Sequence, residues 1–151
     1  MIQRIQTFYL FIALILLLIF VFTPYTIFNL AGHTIHVSVL FPSSNGFKTE
    51  GMIGNVIIAF FSGMAAVFLL FAIFLYKNRI RQYRIGVISI ISILLIELGL
   101  VYVLRWGMNP SVISTMQITS IFPVISLIFI FLALRAIKKD EELVRSYDRI
   151  R

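Results

Sequence analysis

Four apolar runs, at about residues 5–23, 52–76, 85–104 and 110–137, are each long enough to cross a bilayer as a helix, and they leave this chain few ways to fold. A helix rises about 1.5 Å per residue, so some 20 residues span the roughly 30 Å of hydrocarbon. Hydrophobic residues make up 60% of the chain, far more than a water-soluble domain needs, so lipid is its solvent. In lipid every backbone N–H and C=O must be satisfied within the protein. The expected fold class is therefore an all-α membrane protein, a four-transmembrane-helix bundle forming one integral membrane domain over 1–151.

The loop at 77–84, Lys-Asn-Arg-Ile-Arg-Gln-Tyr-Arg, divides the runs into two hairpins and sets their orientation. Arg4, Lys77, Arg79, Arg81, Arg84, Arg135, Lys138, Lys139, Arg145, Arg149 and Arg151 fall on its side of the membrane, against Lys48 and Arg105 on the other. Eleven of the 13 basic residues on one side is a strong positive-inside bias, which predicts cytoplasmic N and C termini and a cytoplasmic tail at 138–151. The same placement accounts for the net charge of +7 through topology and anionic lipid headgroups at the cytoplasmic face, without nucleic acid as a partner. A basic start before an apolar run is also the pattern of a signal peptide, but no Ala-x-Ala-like site follows, so the first run is read as a retained span.

The segment 24–51 is the one sizeable loop outside the membrane. Thr34-Ile35-His36-Val37-Ser38-Val39 alternates polar and apolar side chains, the period of a half-exposed strand, and Thr26 to Leu30 can pair with it through a turn near Ala31-Gly32. A small extracytoplasmic β-hairpin between helices one and two is expected, followed by a tight loop at 42–46.

Small residues in the second span, Ala59-x-x-x-Gly63 and Ser62-x-x-x-Ala66, let a neighbouring backbone approach, chiefly for packing within the chain. Arg105-Trp106-Gly107 closes the third span with an interfacial aromatic and a helix-stopping glycine. Asn109-Pro110 reads as an N-cap and first helical residue, which makes Pro123 an interior proline that should kink helix four. Past Ala136 the helical period continues, with Lys138 to Glu142 and Glu141 to Arg145 spaced four apart.

Glu97 is the one acid inside an expected span. An ionised, unpaired carboxylate there costs several kcal/mol, so it must be neutral, paired, or beside a wet cavity. Asn55, Ser62, Gln117, Thr119 and Ser120 fall at a similar depth, with Arg105 two turns outward, and together they are the expected intramembrane polar cluster. That cluster implies either a proton-coupled or cation-binding site, or a carboxyl hydrogen-bonded between helices to fix their register.

Other chemistry finds little support. Without cysteine there are no disulfides, thiolate metal sites or thiol redox steps. His33 and His36 would face opposite sides of a strand, with Glu50 the nearest acid, so no metal is expected. No nucleophile–base set, carboxylate pair or phosphate-binding glycine loop occurs, and the expectation is a protein that is not an enzyme and uses no cofactor.

The two ends carry a resemblance. Met-Ile-Gln-Arg-Ile-Gln-Thr at 1–7 and Ala-Leu-Arg-Ala-Ile-Lys-Lys-Asp-Glu-Glu-Leu-Val-Arg-Ser-Tyr-Asp-Arg-Ile-Arg at 133–151 resemble the termini of a family of small four-span inner-membrane proteins of Bacteroidota-type bacteria, a domain of unknown function. The resemblance implies a bacterial inner (cytoplasmic) membrane and brings no activity. If helices one and four are neighbours, Arg4, Arg135, Asp140, Arg145, Asp148 and Arg149 form one polar surface, joined by Arg79, Arg81 and Arg84 of the loop. The expected function is a non-enzymatic accessory or scaffold subunit that meets lipid, a membrane-protein partner or a second copy through that surface. The alternative is a small proton-coupled transporter using Glu97.

Overall fold

The apolar runs form helices whose interior faces repeat every seven residues. In a computed structural model, residues 3–30, 33–40, 49–76, 78–107 and 113–148 are described, with side chains at all of them except 3–4, 28, 30, 33, 49–50, 113–114 and 145–148. The elements are α1 (Gln3–Phe22), β1 (Pro24–Leu30), β2 (His33–Ser38), α2 (Thr49–Phe74), α3 (Arg79–Trp106), β3 (Ile113–Met116), a 3₁₀ turn (Ile118–Ile121) and α4 (Phe122–Asp148). All four helices are long and apolar enough to cross a membrane. At 26 and 28 residues, α2 and α3 run about 40 Å, longer than the hydrocarbon is thick, so they tilt or project from it.

α2 packs most extensively on α3, and α1 on α4; contacts of α1 with α2 and of α3 with α4 close the ring. Buried positions step by four and three along every helix. They fall at Gly51, Asn55, Ile58, Ser62, Ala65, Leu69 and Ala72 on α2, and at Gln82, Gly86, Ser89, Ile93, Ile96, Leu100 and Val103 on α3. This 3.5-residue repeat is that of left-handed bundles. Large apolar side chains such as Phe60, Phe74, Leu98 and Phe131 stay exposed on the outer faces, where lipid covers them. The seams mix small and polar residues with Ile58, Leu69, Ile93, Ile96 and Leu100, because lipid solvates Leu or Phe as well as a helix does and close fit is what remains to hold helices together.

Glycine sets that fit. A Cβ on Gly54 would come within 2.5 Å of Val103 Cγ2, and one on Gly99 within 2.8 Å of Ile58 Cγ1, so α2 and α3 meet there almost backbone to side chain. Gly107 caps α3 at φ −77° and ψ −5°, ordinary helical angles. Its glycine is needed for space and not for a left-handed turn, because a Cβ would lie 2.6 Å from Gly51 Cα. Gly63, read from the sequence as a packing residue, is exposed and has nothing within 4 Å of such a Cβ.

The expected hairpin exists and has a third strand. β1 pairs antiparallel with β2 (Ile27 opposite His36) and on its other edge with β3 (Thr26 opposite Met116), giving the order β2-β1-β3. The fourth span therefore does not begin at Pro110. Ile113-Ser-Thr-Met satisfies the free edge of β1, with Thr26 Oγ1 donating to Thr115 O at 3.2 Å and Gln117 N to Tyr25 O at 3.0 Å. The helix starts at Phe122, which places Pro123 at its second residue, where a missing N–H has no intrahelical partner to lose, so the expected kink has no cause. The Ala31-Gly32 turn, the 42–46 loop and the Asn109-Pro110 cap lie outside the described residues.

Gly107→Ala should lower the stability of the detergent-solubilised protein by about 1–3 kcal/mol, since its neighbour is backbone that cannot move aside. Gly63→Ala should be neutral or stabilising by up to about 1 kcal/mol. Thermal midpoints of the two variants measured side by side check this, and equal destabilisation would refute the packing assigned to Gly107.

Candidate functional site

The polar residues sort into two groups, one at the sheet end of the bundle and one at the basic end. At the sheet end the β1–β2 pairing slips by one residue between Pro24 and Thr26, leaving Tyr25 as the extra residue of a bulge. A bulge re-aims a side chain, and Tyr25 lies buried against Phe20, its hydroxyl donating to Asn55 Oδ1 at 2.7 Å. Asn55 Nδ2 donates in turn to Val39 O at 3.2 Å. Thr119 Oγ1 donates to Pro24 O, and Ser120 Oγ to Gln117 O at 2.7 Å. These bonds fasten the sheet to α2 and to the start of α4.

The structure thus distributes the expected cluster differently. Asn55 and Thr119 serve the sheet junction, while Ser62 Oγ donates to Ala59 O of its own helix at 2.9 Å. Arg105 is exposed near the end of α3. Glu97 is half-buried, one position past the seam residue Ile96, and its Oε1 has no hydrogen-bond partner among the described residues. Tyr25 is the residue that sequence reasoning missed; a tyrosine directly after Pro24 at the mouth of an apolar run was the available signal.

At the opposite end the buried polar groups tie chain segments across the bundle. Gln6 Nε2 donates to Ala136 O at 3.1 Å, holding α1 to α4. Gln82 Nε2 donates to Ala72 O at 3.0 Å, a carbonyl in the last turn of α2, and so ties the start of α3 to the end of α2. Arg79 reaches across to α4: its Nε lies 3.2 Å from Asp140 Oδ2, and Nη1 donates to Asp140 O at 3.2 Å. The Nε contact is an ion pair without hydrogen-bond alignment.

Between α3 and α4 at this end lies an open groove of about 500 Å³, lined by Asn78, Arg79, Ile80, Arg81, Arg84, Glu141 and Val144. Of the arginines expected to form one surface, Arg79 is therefore committed to Asp140, Arg81 and Arg84 stand exposed in the groove, and Arg135 lines a separate groove on the flank. The side chains of Arg4 and Arg145, and Arg149 altogether, lie outside the described residues. The groove offers positive charge beside exposed apolar groups, a surface suited to binding.

A family model described as a domain of unknown function, DUF4293, matches residues 2–150. The chain belongs to that family. No curated protein and no solved structure matches it. The match runs through the sheet and all four helices, so the groove at the basic end and the sheet junction both lie inside the unit that defines the DUF4293 family.

Tyr25→Phe leaves Asn55 Oδ1 buried without its donor and should cost about 1–3 kcal/mol. Burial also pushes the Tyr25 phenol above its ordinary range, so the folded state keeps it neutral where an unfolded chain ionises it. Its contribution is whole below about pH 10 and is lost as pH rises beyond that. Thermal midpoints between pH 8 and 11 should fall more steeply for the native protein than for Tyr25→Phe.

At the basic end, a double-mutant cycle of Arg79→Gln and Asp140→Asn should give a coupling of about 0.5–3 kcal/mol. Strictly additive effects would mean that the ion pair does not hold α3 to α4.

Proposed function

We propose that this DUF4293 protein is a non-enzymatic accessory or scaffold subunit of a bacterial inner-membrane complex, with its basic end in the cytoplasm and a partner docked in the groove between Arg81, Arg84 and Val144. The observation that carries this reading is the mixture at that groove. Ile80 is 52% exposed and Val144 43% exposed, set among Arg79, Arg81 and Arg84 with Glu141 as the one acid of the lining, at the end of the bundle that the charge bias predicts to be cytoplasmic. Isolated apolar groups on a wet surface are ordinary; apolar groups framed by arginines make a patch that an acidic, partly apolar segment of another protein complements in both charge and shape. Arg79 and Asp140 fix the two walls without consuming Arg81 or Arg84.

The test is purification in mild detergent of the native chain and of Arg81→Glu/Val144→Glu, which leaves the Arg79 pair intact. The variant should keep its thermal midpoint and lose a stoichiometric companion. An identical set of companions in both preparations would sink the proposal, and the mass of the native complex separates a foreign partner from a second copy.

A second reading rests on Glu97, whose buried Oε1 lacks a hydrogen-bond partner among the described residues partway along α3. A carboxyl so placed can carry a proton, and a small proton-coupled transporter would use it. Uptake into proteoliposomes driven by a pH gradient should then be abolished by Glu97→Gln. Uptake unchanged in that variant would remove Glu97 from any transport mechanism.

A further inference from the structure

Cations meet apolar surface a second time, on the flank of the bundle. A groove of about 260 Å³ between α3 and α4 is lined by Tyr83, Phe131, Leu134, Arg135 and Lys138. Leu134 packs against Gly86, where a Cβ would lie 2.6 Å from Leu134 Cδ2, so the glycine lets Leu134 settle onto α3; Phe131 is 63% exposed. The lining contains no acid. Arg135 and Lys138 are exposed, and among the described residues neither has an ion-pair partner.

The order of these residues along α4 gives the groove a direction. Phe131 lies within the apolar stretch Leu127-Ile128-Phe129-Ile130-Phe131-Leu132, whereas Lys138 is followed directly by Lys139 and Asp140. Seven residues of helix separate the two, a rise of about 10 Å, which is the distance from the outer hydrocarbon to the headgroup phosphates. Tyr83, near the start of α3, sits at the same end as Lys138, at the level where an amphipathic ring prefers to lie. A small soluble anion would match the two cations and leave Phe131 and Leu134 unfilled. A phospholipid matches both ends of the groove at once.

We propose that this groove is a binding site for one anionic phospholipid, its phosphate held between Arg135 and Lys138 and one acyl chain lying along Leu134 and Phe131. The site is independent of whatever occupies the groove at Arg81 and Arg84. It bridges α3 and α4, two helices that meet less extensively than α2 with α3 or α1 with α4, so a lipid wedged there adds contacts where the ring of helices has fewer.

Full-length protein, delipidated in neutral detergent, would be titrated with phosphatidylglycerol, with phosphatidylcholine of the same chains, and with inorganic phosphate, reading bound lipid by native mass spectrometry and the thermal midpoint in parallel. Phosphatidylglycerol should be retained at one molecule per chain and raise the midpoint, with the other two probes giving neither effect. Arg135→Gln/Lys138→Gln should weaken that retention about tenfold or more at low salt. Lys139→Gln, on the same helix but outside the groove, should retain the lipid. Equal retention of the two lipids, or equal loss in the groove variant and the Lys139 variant, would overturn the site and leave only general attraction between a basic surface and acidic lipid. A stabilising effect of inorganic phosphate alone would likewise overturn the lipid assignment.

Discussion

Lipid gives an apolar helix no reason to leave it for another apolar helix, and the architecture of this protein follows from how that difficulty is met. Association must come from close fit and from polar groups with nowhere else to bond. Both requirements fall on the same positions. Asn55, Ser62, Gln82, Ser89 and Ser126 are buried on the seams, beside Gly51, Gly54, Gly86 and Gly99, which bring backbones together. Residues that would be the least favourable part of a soluble core here share the interior with Leu10, Leu17, Phe20, Ile58 and Ile93, while Phe60, Phe74, Leu98 and Phe131 turn outward. The sevenfold spacing of Gln6, Ala13 and Phe20 on α1, and of Ser126, Ala133 and Asp140 on α4, carries the same logic through the other pair of helices.

That logic also explains what could be read from the sequence and what could not. The spans and their number are written in hydropathy, and the β1–β2 hairpin in the alternation of Thr34 to Val39. The third strand was hidden because Asn109-Pro110 has the sequence pattern of a helix start and because Ile113 and Met116 extend the apolar run behind it. Its strand character comes from a partner more than 80 residues away, which no local pattern encodes. The bonds that Asn55, Ser62, Thr119 and Ser120 make were not legible for a different reason. Depth along a helix was used to place Asn55, Ser62, Thr119 and Ser120 beside the acid, but depth says nothing about which way a side chain points. The seam repeat does: it puts Ile96 and Leu100 inside and Glu97 at the flank. Small and polar residues at alternating steps of three and four would have exposed the seams, where hydropathy alone, uniform around each helix, could not.

The two ends of the bundle are sealed by different physics. At the sheet end every bond named is between neutral groups: Tyr25 to Asn55, Asn55 to Val39, Thr119 to Pro24. Neutral bonds away from water are insensitive to salt and change little with pH until the phenol itself ionises. The other end adds to its neutral bonds, Gln6 to Ala136 and Gln82 to Ala72, an ion pair, Arg79 with Asp140, between side chains that remain 25% and 12% accessible. A partly wetted pair of that kind is screened and can be replaced by another anion or cation that comes close.

This asymmetry bears on where a partner can act. A ligand changes a protein only by interacting differently with two arrangements of it, and the sheet end has few interactions that a newcomer could exchange. The basic end has several. An acidic segment entering beside Arg81 and Arg84 would approach the guanidinium of Arg79, and would compete with Asp140 for it across the seam that Gly86 and Leu134 close. The contact that fixes α3 to α4 is therefore also the one most open to exchange. A partner acting at the charged end would then exchange this ion pair while the neutral bonds of the sheet-capped end stay as they are.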